Sequence, residues 1–337
     1  MTDTQLTNQR FVLRSRPQAL PDRANFALQS GPVNAPGCGQ VLVEILMAAL
    51  SPWQNQRLKD FTNYTQPFAL GELIDCDVLG RVIASRDDAF AVGQQVTGRL
   101  GWQTYAVANA QQLLAADDEF SAEQWLSVLS SPGLTAYAAM DLFARPMPGQ
   151  TMVITSAAGA VGSYAVQLGK LAGMHVVGIA GSPDKCAMVT NKLGADACIN
   201  YAQPGFGERL NEACPDGVNL LFDTVGGDVA DTVFDNLAKF ARVLIVGRTV
   251  SNNSASPADD PVNMRQLWAR EASVQCFSRY SYPERWEFAR TRMQTLCRRN
   301  ALISINHIVD GFEHTPLALR EMLDGQHTGK TLVRYAT

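Results

Sequence analysis

Histidine is scarce in this 337-residue chain, and cysteine never occurs as a Cys-x-x-Cys pair. The four histidines (175, 307, 314 and 327) offer no familiar spacing from which a three-ligand catalytic zinc site is assembled, so no metal is expected. The seven cysteines (38, 76, 186, 198, 214, 276 and 297) are scattered and odd in number. They argue against a disulfide framework and for buried free thiols in a reducing compartment. An excess of positive charge is also missing, since 28 Lys and Arg stand against 32 Asp and Glu. Nucleic acid and anionic membranes require a concentrated basic face, so neither is expected as a partner. The opening MTDTQLTNQRFV has neither the basic start nor the apolar core of a secretory signal, which points to the cytoplasm. Residues 151–169 carry no charge, but small residues including Gly159, Gly162 and Ser163 make a spanning helix a poor reading. What remains is a small-molecule ligand.

The length suits two domains, each able to bury its own core. Up to about residue 120, short β-like runs separated by glycines dominate (41–46, 78–84, 95–99 and 103–108), with one short helix from Pro52. From about Trp125 the texture becomes regular alternation. Apolar runs at 152–156, 175–180, 197–201, 219–225, 242–246 and 273–277 are mostly separated by helical segments. Strands of that kind predict a parallel sheet covered on both faces, and six of them is the count of a Rossmann domain. After a helix beginning near Pro283, β-like runs return at 303–309 and 331–335 and are expected to rejoin the N-terminal domain. The expectation is an α/β fold: a doubly wound domain over 125–299, inserted into a β-rich domain made of 1–124 plus 300–337. The run at 273–277 would be an edge strand, of the kind that pairs with a second subunit in a homodimer.

Within TMVITSAAGAVGSYAVQLGKLAG, Ala157, Gly159 and Gly162 stand at the spacing of G-x-G-x-x-G, with alanine first. A β-run precedes the motif, a helix follows, and another strand begins at His175, which is the context such a motif needs. Gly159 would let backbone approach a pyrophosphate, and Gly162 would let helix and strand pack closely. Free N–H groups at the helix start would receive the phosphate oxygens. At the tip of the next strand an NAD enzyme carries Asp or Glu for the ribose 2′-hydroxyl. This chain has Ala180-Gly181-Ser182-Pro183-Asp184-Lys185 there. Nothing acidic repels a 2′-phosphate at the tip, Lys185 supplies a cation and Ser182 a hydroxyl, while Asp184 reads as a helix-start charge. NADPH is the expected cofactor.

With these motifs in view, the chain resembles the medium-chain dehydrogenase/reductase superfamily. More narrowly, it resembles the zinc-independent leukotriene B4 12-hydroxydehydrogenase, prostaglandin reductase and curcumin reductase group. The resemblance rests on SSPGLTAYAAM (130–140), ITSAAGAVGSYAVQLGKLAG (154–173), AGSPDK (180–185), LGADACINY (193–201) and LFDTVGG (221–227). YTQPFALGE (64–72) and HTGKTLV (327–333) fit it too. It implies a GroES-like catalytic domain around the Rossmann domain. Among cofactor residues it implies Thr135 beside the nicotinamide and the amides of Ala160 and Val161 on the pyrophosphate. Gly181, Lys185 and Tyr201 would surround the 2′-phosphate. Val225 and Val246 would line the nicotinamide-ribose channel, and Gly329 would sit near the nicotinamide.

The implied reaction is reduction of the activated C=C bond of an enone or enal, with quinone reduction as the alternative. A nucleotide-binding protein with little catalysis is a second alternative. Tyr64 is the candidate proton donor or carbonyl clamp. Trp53, Phe68 and Trp102 are candidates for an aromatic wall against a flat substrate. The chain departs from the group in three places. Trp53-Gln54-Asn55 replaces a Tyr-Met-Arg run, Asn252 replaces a tyrosine after the fifth strand, and His327 replaces an asparagine before the last Gly-Lys. Trp53 and Asn252 are candidate substrate-binding positions, and their change from the group's pattern motivates the alternative with little catalysis.

Overall fold

Residues 6–60, 65–248 and 264–335 are described by the structure, a computed structural model. They divide into two units, Met1–Ser127 with Asn306–Thr337, and Val128–Ile305. The first unit opens with a two-stranded antiparallel ribbon, β1 (Thr7–Leu13) and β2 (Phe26–Pro32). There follow β3 (Gln40–Ala49), β4 (Asp77–Ser85), β5 (Gln95–Arg99), β6 (Tyr105–Asn109) and β7 (Leu113–Ala115). β3 is the hub, antiparallel to both β4 and β6. Its Val41, Val43 and Ile45 alternate into the core, as a half-buried strand requires. Trp102 is fully buried in that core, edge-on to Phe11 at 6.3 Å and 5.2 Å from Phe26. It belongs to the core, not to a wall facing substrate.

The second unit carries six strands, β8 (Thr151–Ile154), β9 (His175–Ala180), β10 (Ala197–Asn200), β11 (Val218–Asp223), β12 (Leu237–Ile245) and β13 (Ser273–Cys276). All are parallel, in the order β10-β9-β8-β11-β12-β13. Counted within the unit this is 3-2-1-4-5-6, the doubly wound Rossmann order, whose switch point lies between β8 and β11. Every residue of β8 is buried, because helices cover both faces of a parallel sheet. β12 starts earlier than its apolar run predicts. Phe240 adopts a left-handed φ of 61° there, and its amide turns to the Arg270 carbonyl. At the edge, all four residues of β13 are exposed.

The chain then returns to the first unit through β14 (Asn306–Asp310) and β15 (Lys330–Arg334), which pair in parallel, with β15 antiparallel to β3. Side chains fix where the units divide. Gln167, on the helix Gly162–Leu171, receives the Ile303 amide and donates to the Ile303 carbonyl, while Tyr164 bonds Ser304. Residues 303 and 304 thereby belong to the second unit. All seven cysteines are free thiols, but Cys38 and Cys276 are exposed, against the expectation of buried ones. Among the described residues no helix is long and apolar enough to cross a membrane.

Candidate functional site

β8 leads into the glycine-rich turn. Ser156 takes a left-handed φ of 50°, and its carbonyl accepts the Gly159 amide at 2.8 Å. The helix Gly162–Leu171 begins immediately after. A Cβ on Gly162 would stand 2.2 Å from the Ser156 carbonyl oxygen and 2.9 Å from its carbon. Strand end and helix start therefore approach more closely than any side chain at 162 allows. At Gly159 a Cβ would meet the Ser156 hydroxyl at 2.6 Å. Ala160 and Val161 occupy the last positions before the helix, where backbone N–H groups lack an intrahelical acceptor and favour an anion.

The end of β9 builds a second corner. The Ala180 carbonyl accepts the Tyr201 amide at 3.1 Å, which brings the end of β10 alongside. The Tyr201 ring then lies against Gly181, where a Cβ would be 3.1 Å from its hydroxyl. Ser182 caps the next helix, Pro183–Asn191, its hydroxyl accepting the Lys185 amide at 3.3 Å. Gly181, Ser182, Lys185 and Tyr201 thus share one corner. Burial pushes the Lys185 ammonium below the usual lysine range, which places that cation in a partly dehydrated setting.

A third feature was not singled out from sequence. Asp223, at the end of β11, is 1% exposed, and its carboxylate accepts from Thr155 Oγ1 (2.7 Å), the Val225 amide (3.0 Å) and the Gly226 amide (3.1 Å). Arg248 Nη1 lies 3.5 Å away, and its guanidinium packs against Gly226. Thr155 Oγ1 also accepts the Thr224 amide at 2.8 Å, and the Asp223 carbonyl accepts the Val246 amide at 2.7 Å. One aspartate thus joins the segments following β8, β11 and β12. It also ends β11 two residues short of the predicted 225, because its carboxylate draws the next amides out of the ladder. The signal available in LFDTVGG was an acid closing an apolar run, since an aspartate is almost never fully buried unless paired.

Thr135 lies in the second unit on the helix Ser131–Ala139 and is nearly buried. In the first unit, Trp53 begins the helix Trp53–Leu58, with the guanidiniums of Arg99 and Arg57 at 4.3 and 6.0 Å from its ring. Phe68 is fully buried with Arg57 3.8 Å over its face, so it is a core residue and not a free substrate-facing wall. Gly329 turns the chain into β15 with a φ of 73°. Tyr64 and Asn252 lie outside the described residues. Among the described residues, no three of His, Cys, Asp and Glu cluster as metal ligands would.

Comparison with known proteins gives this geometry a family. Residues 9–116 match the model described as the N-terminal domain of oxidoreductase, and residues 160–295 match the one described as zinc-binding dehydrogenase. The NADPH-dependent curcumin reductase of Escherichia coli (strain K12) is 33% identical over 335 residues, covering 98% of this chain and 97% of that protein. Prostaglandin reductase 1 of Sus scrofa is 31% identical, covering 96% and 98%. The chain belongs to the curcumin reductase and prostaglandin reductase 1 group of medium-chain dehydrogenases/reductases. Within that group, the crystal structure of CurA from Vibrio vulnificus in complex with NADPH superposes with a TM-score of 0.92 at 31% identity, covering 98% of this chain and 99% of that one. Group membership accounts for the GroES-like β unit and the six-stranded parallel sheet.

Proposed function

We propose that this protein is an NADPH-dependent oxidoreductase that reduces the activated C=C bond of α,β-unsaturated ketones or aldehydes without zinc. The observation that carries the cofactor choice is the corner at the end of β9. Gly181 lies against the Tyr201 ring there, Ser182 caps the helix that carries the half-buried Lys185, and Ala180-Gly181 at the strand tip brings no carboxylate. The reduction of activated double bonds is supported by the relatives, which include an NADP(+)-dependent 2-alkenal reductase of Nicotiana tabacum at 25% identity.

The residues present fit the cofactor. Ala160 and Val161 would receive the pyrophosphate, with Gly159 and Gly162 keeping the turn tight. Lys185, Ser182, Gly181 and Tyr201 would hold the 2′-phosphate, and Val225 and Val246 the nicotinamide ribose. Thr135 and Gly329 would flank the nicotinamide. NADPH, when bound, would supply the hydride that the β-carbon of an enone accepts. Negative charge then gathers on the carbonyl oxygen, where a positioned donor lowers the barrier. Tyr64 is the proposed donor, and a proton adds at the α-carbon to complete the saturated ketone. Trp53 is the proposed side-chain face against substrate, with Asn252 a further contact. A homodimer through exposed β13 and a cytoplasmic, reducing setting for seven free thiols complete the reading.

The test is NADPH and NADH oxidation by the purified protein with enones, enals and quinones. Turnover of enones or enals with NADPH is expected; turnover of quinones alone transfers the reading to quinone reduction, and no turnover with any acceptor ends it. Lys185→Ala should weaken NADPH binding by about tenfold to a hundredfold, the worth of a charge-assisted hydrogen bond, and leave NADH nearly unchanged. Because the ammonium binds phosphate only when protonated, NADPH affinity should fall as pH rises through the lysine's depressed pKa. Fluorescence titration at several pH values reads both effects, and equal losses for the two cofactors would remove Lys185 from the phosphate site.

A further inference from the structure

Lys330 is 3% exposed, an unusual setting for an ammonium, and it follows Gly329 directly. Its Nζ donates to the Leu50 carbonyl and to the Ser51 hydroxyl, both at 2.6 Å and both nearly 280 residues away in sequence. Leu50 and Ser51 are where the chain leaves β3 and turns toward the helix Trp53–Leu58. That helix is only six residues long, and no side chain caps its start. Its first turn hangs on Ser51 instead. The Ser51 carbonyl accepts the Gln54 amide at 3.1 Å, and the Ser51 amide donates to Gln54 Oε1 at 2.8 Å. Gln54 in turn donates to the Asp75 carbonyl at 2.9 Å. A continuous path therefore runs from Lys330 through Ser51 and Gln54 to Asp75, and Trp53 sits inside it.

We infer that Lys330 is a positioning residue for the reduction, fixing Trp53 and Gly329 relative to one another through Ser51. The inference rests on the function proposed above, in which Trp53 faces substrate and Gly329 the nicotinamide. Lysine suits the task because its long stem is buried while two of its ammonium N–H donors reach oxygens on a separate segment. Methionine fills the same space and forms neither bond. Misplacing reacting groups by about an ångström costs on the order of a hundredfold in rate. The rate of hydride transfer is therefore the quantity Lys330 should govern, while the groups proposed to hold the 2′-phosphate and pyrophosphate lie elsewhere in the chain.

The experiment compares the wild-type protein with Lys330→Met, Ser51→Ala and the double variant. Readouts are NADPH affinity by fluorescence, thermal midpoint, and kcat and KM for one enone with NADPH and its 4-deuterated form. Lys330→Met should lower kcat/KM by about thirtyfold and raise the deuterium isotope effect as hydride transfer becomes limiting, with NADPH affinity held within about twofold. Ser51→Ala should change kcat/KM in the same direction by about threefold, and its effect should shrink in the Lys330→Met background. A folded Lys330→Met with wild-type kcat/KM overturns the inference, as does a parallel loss of NADPH affinity, which would mark general loosening. If Lys330→Met does not fold, a Ser51→Ala variant indistinguishable from wild type overturns it. Absence of enone turnover in the wild-type protein is a different failure, which removes the parent reading and this inference with it.

Discussion

Replacing Gly162 by alanine should cost this protein both stability and cofactor binding, although the change adds one carbon. That carbon has no space: at 2.2 Å from the Ser156 carbonyl oxygen and 3.0 Å from Ala157 Cα, it meets backbone and not the tip of a movable side chain. Either the helix Gly162–Leu171 retreats from the end of β8 or the turn deforms, and each outcome displaces the Ala160 and Val161 amides. Overpacking of this kind costs about 1–3 kcal/mol, occasionally more. A thermal midpoint lower by several degrees is expected, together with at least about a tenfold loss of NADPH affinity. Gly207 provides the control. It lies on the helix Phe206–Ala213, and a Cβ there would find Thr232 Cγ2 at an ordinary 3.6 Å. Gly207→Ala should be neutral or stabilise by up to about 1 kcal/mol, since alanine is the better helix former. Calorimetry on the two variants decides the matter, and similar midpoints would mean that the turn at 162 accommodates a side chain.

Asp223→Ala should be the more damaging substitution. It leaves the Thr155 hydroxyl and the Val225 and Gly226 amides without their acceptor and removes the negative partner of Arg248. The Thr155 hydroxyl and the Gly226 amide are buried, and each such donor stranded costs about 1–3 kcal/mol, a large share of the stability of an ordinary domain. Little folded protein is expected. Asp223→Asn keeps an oxygen for part of the network and loses the charge, so it should fold, with NADPH affinity reduced because the segments bearing Val225 and Val246 are less firmly held. Yield, thermal midpoint and NADPH titration of both variants test this. An alanine variant as stable as the wild type would show that the carboxylate does not hold these segments together.

The alternation of apolar runs made the doubly wound sheet legible, because buried parallel strands have little choice of residue. The spacing of Ala157, Gly159 and Gly162 is found between β8 and its helix, where the sequence context put it. Other features depend on partners far away in the chain. Trp102 and Phe68 look like any exposed aromatic until Phe11, Phe26 and Arg57 are seen around them. Asp223 falls inside the apolar run 219–225, and only Thr155, 68 positions earlier, reveals it as a buried hub. The ribbon strands β1 and β2 carry no such signal, because their exposed faces break the apolar run that marks a strand in this chain. Lys330 stands in a short closing motif, and its acceptors, Leu50 and Ser51, are residues no local pattern associates with it.

The order in which the strands leave the ribosome has a consequence of its own. β15 lies between β14 and β3 in its sheet, yet it is synthesised after the whole of Val128–Ile305. The Rossmann unit can therefore mature while the first unit still waits, with one side of β3 exposing unpaired amides and carbonyls near Ala49. During that interval the nascent chain carries an open sheet edge, the feature most prone to pairing with a wrong partner. A chain stalled before Lys330 should depend on chaperones for its N-terminal half and not for its middle.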